Sequence, residues 1–364
     1  MIRRPPRSTQ GVSSAASDVY KRQLISFADA GSDFLFTSFI PEVGYDQALL
    51  NFAFRALPVI IFFSSLIAVT YHLGIIQFVI KNISLLMEKT MKTSGAETLS
   101  ISANIFVGQT EAPILIRPYI SLMTKSELMA VMVGGFATVA GSVMALYVTW
   151  LNNIPGIAGH LLAASVMSAP AALMVAKIIY PETKSLKTIN SNKINLKSND
   201  NNIVDALGRG ATEGLKLAAN VAAMLIAFIS MVAMINFVLG LLGTSMQEIL
   251  GLLFKPLAWT MGIPWKDAEV VGTLMGEKIV LTELIAFRDL SDYVTKNILS
   301  ERSIIITSYA LCGFANFGSI GIQLGGIGSM APERKKDLSR IVFKAMLGGA
   351  IASWLTASIV GIII

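Results

Sequence analysis

Two short polar segments interrupt the apolar stretches of this sequence and carry the residues best suited to binding chemistry. They lie at residues 104–113 and 312–319 and contain a carboxylate, amides, hydroxyls and several glycines. Carboxylates and amides are costly to place at the depth of a lipid bilayer. A broken helix is tolerated there only where it faces protein or a water-filled cavity. Such segments in two similar halves of a chain are typical of the binding site of a secondary transporter.

Two glutamates at corresponding places in interrupted apolar segments need partners. Glu111 lies in the first polar segment, and Glu283 lies in a further interrupted stretch at residues 268–290. A substrate with O–H or N–H donors, or a cation, would supply a partner through charge-assisted contacts. The alternative is an ion pair that serves packing, with Arg117 or Lys278 as the basic residue.

Amide and hydroxyl side chains in the same segments predict a ligand that has both donors and acceptors. Gln109 carries both and suits the edge of a heterocycle, while Thr110 either contacts the same ligand or caps a helix. Asn316 and Ser319 share one face of a helix because they are three residues apart. Together with a carboxylate they could hold a vicinal diol. The alternative is a hydrogen bond between two membrane helices.

A set of oxygen atoms predicts a site for Na⁺. Asn104 and Thr138 offer side-chain oxygens, and the backbone carbonyls of Val107 and Val139 offer two more. Unwound carbonyls combined with side-chain oxygens are the usual ligands of Na⁺ in transporters. The sequence has no catalytic motif and no nucleotide-binding loop. We therefore expect a protein that is not an enzyme and whose transport is driven by an ion gradient.

The composition indicates a polytopic membrane protein. Of 364 residues, 54% are hydrophobic and only 14% are charged, and the mean hydropathy is +0.65. Soluble domains carry about 25% charged residues. The single cysteine, Cys312, excludes an internal disulfide. The two histidines, His72 and His160, are too few and too isolated to predict a metal site.

The first 23 residues differ from the rest of the chain. They hold five basic residues and one aspartate, which accounts for +4 of the net charge of +6. They lack the hydrophobic core of a signal peptide. The segment resembles the translation of a sequencing adaptor, and we expect it to be foreign and disordered. The native chain would then begin further upstream, with additional helices.

The apolar stretches that must position these residues predict an all-α fold. A membrane span needs about 20 helical residues, so the two short arms of residues 98–123 predict a re-entrant hairpin. An interfacial helix and a scaffold span are predicted over 24–97, with the apolar stretch at 56–80, and a first repeat over 98–180, with spans at 128–151 and 157–180. A cytoplasmic linker and amphipathic helix follow over 181–217, and then a scaffold span and interfacial segment over 218–267. A second repeat is predicted over 268–364, with a hairpin at 268–290 and spans at 303–325 and 341–364.

The two repeats share the order hairpin, broken span, full span. Because a single span separates them, we expect the hairpins to enter from opposite faces of the membrane. This inverted repeat suits alternating access to a central site. The loops rich in Lys and Arg, at 81–92, 181–216 and 334–340, are predicted to lie in the cytoplasm.

At these residues the chain resembles the concentrative nucleoside transporter family. The resemblance rests on residues 108–111, 138–142 and 313–323 and on the segment around Glu283, and it extends over 24–364. It implies a homotrimer whose protomers each import nucleosides together with Na⁺, or with H⁺ in some bacterial members. Thr282 stands where the family usually has Asn, and Thr138 stands where it often has Ser. Both departures leave the preferred ion and nucleobase open.

The resemblance also implies a role for each candidate site residue. Those facing the nucleobase would be Gln109, Thr110, Glu111 and, behind them, Val143. Those around the ribose would be Glu283, Asn316, Ser319 and Phe314. Those binding Na⁺ would be Asn104, Val107, Thr138 and Val139.

The polar segments and the family resemblance together predict a Na⁺-coupled nucleoside importer that works by alternating access in a bacterial inner membrane. Its partners would be the nucleoside, the bilayer and two further copies of the chain, with no nucleic acid and no cofactor other than the coupling ion. Two alternatives remain at this point. One is a nucleoside symporter driven by H⁺, and the other is a membrane protein that recognises nucleosides as a gate or sensor without transporting them.

Overall fold

A computed structural model describes residues 52–183 and 200–364 of the chain. The predicted foreign segment, the interfacial helix before residue 52 and most of the polar linker lie outside the described residues. Every regular element in the described ranges is helical. The predicted all-α class is thereby confirmed.

The first scaffold segment consists of two helices and not one. Helix α1 covers Phe52–His72 and helix α2 covers Ile75–Met91, and the two meet at an angle of 74°. Gly74 lies between them with φ +81°, a left-handed conformation that glycine adopts without steric cost. The apolar stretch predicted to span the membrane at 56–80 is therefore bent at Gly74.

The predicted first hairpin has one regular arm and one irregular arm. Helix α3 covers Gly95–Ala103, and a non-helical segment follows it. The chain then continues as a 3₁₀ helix at Ala112–Ile116 and a single turn, α4, at Arg117–Ile120. Pro113 and Pro118 lack the N–H donors that a longer helix needs. The second arm is therefore not the helix of about ten residues that the pattern predicted.

The broken span and the full span of the first repeat follow. Helix α5 covers Lys125–Ala137 and helix α6 covers Gly141–Trp150, with a non-helical break between them. Helix α7 covers Ile157–Ile179, and the long helix α8 covers Ile203–Gly240. Helices α3 and α5 each begin with a capping box, in which a Ser or Thr side chain and a Glu side chain bond each other's backbone N–H groups.

The second half of the chain contains two further interruptions. The six helices are α9 at Met246–Thr260, α10 at Ala268–Val280, α11 at Glu283–Thr295, α12 at Glu301–Leu311, α13 at Phe317–Met330 and α14 at Lys335–Ile363. Asp267, just before α10, accepts hydrogen bonds from the hydroxyls of Ser300 and Ser303 at the start of α12. These bonds tie the start of α10 to the start of α12.

The centre of the molecule is formed by α5, α7 and α14, which pack against one another. In the described ranges, three helical segments are long and apolar enough to cross a membrane, or four if the bent pair α1 and α2 counts as one. Helix α8 packs along α1, and α9 packs along α10. The non-helical breaks between α5 and α6 and between α12 and α13 lie within this packing and carry the polar residues. The inverted relation of the two repeats remains a prediction.

Candidate functional site

One cavity brings together all eight residues that were predicted to contact the nucleobase or the ribose. Its walls come from the first hairpin, the two helix breaks, the start of α11 and the middle of α8. The predicted residues that line it are Gln109, Thr110, Glu111, Val143, Glu283, Phe314, Asn316 and Ser319. Residues far apart in sequence therefore converge on a single space.

A buried carboxylate lies at one end of the cavity. Glu283 is the first residue of α11, follows the helix cap Thr282 and is 3% exposed. Its Oε1 accepts a hydrogen bond from the Tyr147 hydroxyl at 3.2 Å, and its Oε2 accepts one from Asn316 Nδ2 at 2.7 Å. A carboxylate has about four acceptor positions. Acceptor capacity therefore remains for hydroxyl groups of a ligand.

The break between α12 and α13 gives Asn316 its orientation. Asn316 caps α13, and its Oδ1 accepts a hydrogen bond from the backbone N–H of Ser319 at 2.7 Å. Gly313 has φ +120°, and a Cβ added there would lie 2.8 Å from the carbonyl oxygens of Phe136 and Ala137. Only glycine fits this conformation and this close approach. The break is thus wedged against the end of α5.

A pair of glutamine side chains forms the other end of the polar wall. Gln109 Nε2 donates to Ser319 Oγ at 3.1 Å, and Gln109 Oε1 accepts from Gln323 Nε2 at 3.0 Å. Gln323 Nε2 also donates to the Met132 carbonyl at 3.1 Å. Hydrogen bonds therefore run continuously from Glu283 through Asn316 and Ser319 to Gln109. Buried polar networks of this kind hold their members in one geometry.

Glu111 differs from Glu283 in its surroundings. It lines the cavity but its side chain is exposed, and its Oε2 accepts a hydrogen bond from the backbone N–H of Gly108 at 3.1 Å. In the described part of the chain, neither glutamate forms an ion pair with Arg117 or Lys278. These carboxylates are therefore not held by direct ion pairs with the two basic residues, although the charge of Lys278 acts on Glu283 through space.

Several residues that line or support the cavity were not predicted from the sequence. Leu217 and Val221 of α8 form an apolar side, and Tyr147 and Gln323 hold the polar groups from behind. Gln323 lies four residues after Ser319 and so shares its helix face, which is a signal that could have identified it. Nothing in the sequence linked α8 to the site, because this contact depends on how distant helices pack.

The predicted cation ligands lie beside the cavity. Asn104 is fully buried, and neither its Oδ1 nor its Nδ2 has a hydrogen-bond partner. A buried polar group without a partner costs about 1–3 kcal/mol, so this amide fits a site completed by a ligand. Thr138 is 2% exposed and its Oγ1 donates to the Gly134 carbonyl at 2.9 Å, which leaves its lone pairs available as acceptors.

The two segments that carry these ligands touch each other. The backbone N–H of Gly141 donates to the Phe106 carbonyl at 3.0 Å and joins the first hairpin to the break between α5 and α6. The carbonyls of Val107 and Val139 belong to these two segments. No group of three or more His, Cys, Asp or Glu residues suited to a metal occurs among the described residues. The oxygen donors instead suit a hard cation such as Na⁺.

Two family models together match nearly all of the described chain. A family model described as "Nucleoside recognition" matches residues 53–153, and one described as "Na+ dependent nucleoside transporter C-terminus" matches residues 160–361. The chain is 44% identical over 366 residues to the mouse sodium/nucleoside cotransporter 1, which covers 94% of this chain and 54% of that protein. The chain thus spans about half the length of the mammalian relatives it matches.

Bacterial relatives match over most of their length. The chain is 43% identical to the uncharacterized transporter YutK of Bacillus subtilis, with 94% of this chain and 84% of that protein covered. Among solved structures, it is similar to CNTnw in an inward-facing substrate-bound state, with a TM-score of 0.87, 41% identity, and coverage of 97% of this chain and 86% of that one. A variant of CNTnw in an outward-facing state gives a TM-score of 0.88 at 41% identity, with coverage of 97% and 86%.

Proposed function

Since the chain belongs to the concentrative nucleoside transporter family, we propose that it imports nucleosides by symport with Na⁺. The observation that carries the proposal is the continuous hydrogen-bonded wall from Glu283 to Gln109 along one cavity, with the unpartnered amide of Asn104 beside it. A nucleoside has a diol at one end and a heterocycle with donors and acceptors at the other. The two ends of this wall offer the matching groups.

The buried end of the cavity suits the ribose. Glu283 accepts hydrogen bonds from two internal donors and has capacity for ribose hydroxyls, while Asn316 and Ser319 supply polar atoms next to it. Charge-assisted hydrogen bonds to a carboxylate are shorter and stronger than neutral ones. Phe314 also lines the cavity and adds an apolar surface to it.

The opposite end suits the nucleobase. Gln109, Thr110 and Glu111 present amide, hydroxyl and carboxylate groups from the loop of the first hairpin, with Val143 behind them. The apolar side chains of Leu217 and Val221 lie on α8 and offer a surface for the flat face of a base. Loops that carry polar groups on a rigid scaffold are the usual location of binding residues.

Coupling to Na⁺ follows from the proximity of the two sites. Asn104 and Val107 lie in the segment that leads into Gln109, and Thr138 and Val139 lie in the break that contacts this segment. A cation bound by these oxygens would order the loop that contacts the base. A nucleoside would then bind more tightly when Na⁺ is present, which is the linkage that a symporter requires.

Transport further requires that the cavity opens to each side of the membrane in turn. We assign this opening to a movement of the two hairpins and the two helix breaks, which would be related as inverted repeats. They would move against a fixed scaffold that contains α1 and α8 and that forms a homotrimer. The membrane that we propose for this transport is the inner membrane of a bacterium. Support comes from the bacterial relatives and from CNTnw, which has been solved in inward-facing and outward-facing states.

Uptake into proteoliposomes tests the proposal. Uridine and adenosine should accumulate under an inward Na⁺ gradient and should not accumulate when the gradient is absent. Uptake that follows an inward H⁺ gradient alone would assign the protein to H⁺-coupled symport. Saturable nucleoside binding without uptake under either gradient would make the protein a gate or sensor, and transport would be rejected.

A further inference from the structure

Lys278 is a fully buried lysine that the proposed transport cycle does not use. It lies on α10, two residues before the end of that helix, and 0% of it is exposed. Burying a charge is costly unless the charge is paired or hydrogen-bonded. The partners of this ammonium group therefore indicate what the residue does.

All three donors of the Lys278 ammonium group have acceptors, and none of these acceptors is a carboxylate. Nζ donates to the carbonyl oxygen of Ala310 at 2.9 Å, to that of Cys312 at 3.4 Å and to Ser353 Oγ at 3.1 Å. Ala310 and Cys312 lie where α12 ends and the break before α13 begins. Ser353 lies on α14 and donates to the Gly349 carbonyl at 3.0 Å.

A cation is well suited to this position. The last carbonyls of an α-helix have no N–H partner within the helix, and the same end of the helix carries a partial negative charge. At the end of α12, Lys278 supplies hydrogen bonds that a continuous helix would have provided from its own backbone. Its charge also opposes the partial negative charge there.

Helix α11, which follows α10 in the chain, holds the other side of the break. Glu283, five residues after Lys278, accepts the hydrogen bond from Asn316 Nδ2 at 2.7 Å. Between these two contacts, Gly313 lies against the carbonyls at the end of α5, directly before the candidate cation ligand Thr138. The break is thus held before and after its bend by α10 and α11.

We infer that Lys278 is a positioning residue that holds the break between α12 and α13 in the shape that presents Asn316 and Ser319 to the nucleoside. Its effect on uptake rests on the proposed function, whereas its effect on the break does not. Without the ammonium group, the carbonyls of Ala310 and Cys312 would lie buried without donors. The break would then open more often.

The only cysteine of the sequence reports on this break directly. Cys312 is 1% exposed, so its reaction with a small maleimide should be slow in the purified full chain. Lys278→Met keeps an unbranched side chain, one heavy atom shorter, and removes its donors. Labelling should then become about tenfold faster because local opening is favoured. The matched control is Lys255→Met on α9, whose ammonium pairs with Glu269 at 2.8 Å away from the break and whose loss should leave the labelling rate unchanged.

Ser353→Ala is a milder second variant in case Lys278→Met does not assemble. It removes one of the three acceptors and leaves the lysine in place, so labelling should become about twofold faster. An unchanged labelling rate in the variants that fold would overturn the inference, whatever the wild type transports.

The KM for uridine uptake gives a second measurement, which would stay unchanged if the lysine were purely structural. In Lys278→Met, the KM for uridine should rise about tenfold, while the maximal rate per assembled protein changes less than about threefold. A lower yield of protein with an unchanged KM would overturn the inference. Absence of uridine transport in the wild type would instead refute the proposed function, and the labelling rates would still decide the role of Lys278.

Discussion

Replacement of the buried carboxylate of Glu283 by an amide tests the ribose end of the cavity. Glu283→Gln keeps the size of the side chain and removes its charge. The Tyr147 hydroxyl, now 3.2 Å from Oε1, can turn and accept a hydrogen bond from the new amide. Asn316 can keep its donation to the remaining oxygen. We therefore expect the variant to fold as the wild type does.

The magnitude follows from the loss of charge assistance. Hydrogen bonds to charged groups contribute about 1.5–3 kcal/mol, against about 0.5–1.5 kcal/mol for neutral pairs. Each ribose hydroxyl on the carboxylate would therefore lose about 1–1.5 kcal/mol, or about 2–3 kcal/mol for the diol. The KM for uridine should rise about 30- to 150-fold.

The assay compares two substrates in proteoliposomes under an inward Na⁺ gradient. Uridine carries the 2′ and 3′ hydroxyls that form the diol, whereas 2′,3′-dideoxyuridine lacks both. The variant should therefore raise the KM for uridine and leave the KM for the analogue nearly unchanged. Glu269→Gln, an exposed glutamate on α10 paired with Lys255, serves as the control and should keep the wild-type KM for both. An equal penalty for both substrates in Glu283→Gln would refute the assignment of this residue to the diol.

Three further predictions concern the cation site, the break and the acid stability of the fold. Asn104→Leu should raise the Na⁺ concentration for half-maximal uptake about tenfold while the uridine KM at saturating Na⁺ stays within about twofold, as measured by Na⁺ titration of uptake. Gly313→Ala should lower stability by about 1–3 kcal/mol, seen as a lower melting temperature, because its Cβ would meet the carbonyls of Phe136 and Ala137. Burial raises the pKa of Asp267, but hydrogen bonds from Ser300 and Ser303 outweigh burial and hold that pKa below its usual range. Its stabilisation is therefore present above the unfolded-state pKa of about 3.9 and is lost as the pH falls through the folded-state pKa, so acidification should lower the melting temperature of the wild type more than that of Asp267→Asn.

Much of the candidate site was predictable because polar residues are rare in this sequence. Gln109, Glu283 and Asn316 stand out within apolar segments, and the cost of burying such groups at bilayer depth predicts that they converge on a site. The structure places them in one hydrogen-bonded wall. Helix α7 was also predictable, because an uninterrupted apolar stretch of sufficient length has few alternatives.

Other features depend on contacts that no local pattern reveals. The 74° bend between α1 and α2 occurs at Gly74 in an otherwise apolar stretch, where a single glycine does not by itself predict a bend. The role of α8 in the cavity depends on its packing along α1. The partners of Lys278 are mostly backbone carbonyls, and such acceptors leave no mark in the side-chain pattern.

The hydrogen bonds of Gln323 fix the orientation of the Gln109 side-chain amide, and so fix which of its atoms a ligand would meet. One side-chain atom of Gln323 contacts both the Met132 carbonyl and Gln109. A carbonyl oxygen only accepts hydrogen bonds, so this atom must be the amide nitrogen of Gln323. Gln109 must then turn its oxygen toward Gln323 and its nitrogen toward Ser319. A freely rotating amide could satisfy opposite arrangements of ring atoms by flipping through 180°, but this one is locked. In the proposed site, bases whose edges match the locked orientation would be favoured. The discriminating residue would be Gln323, which contacts Gln109 and does not itself line the cavity.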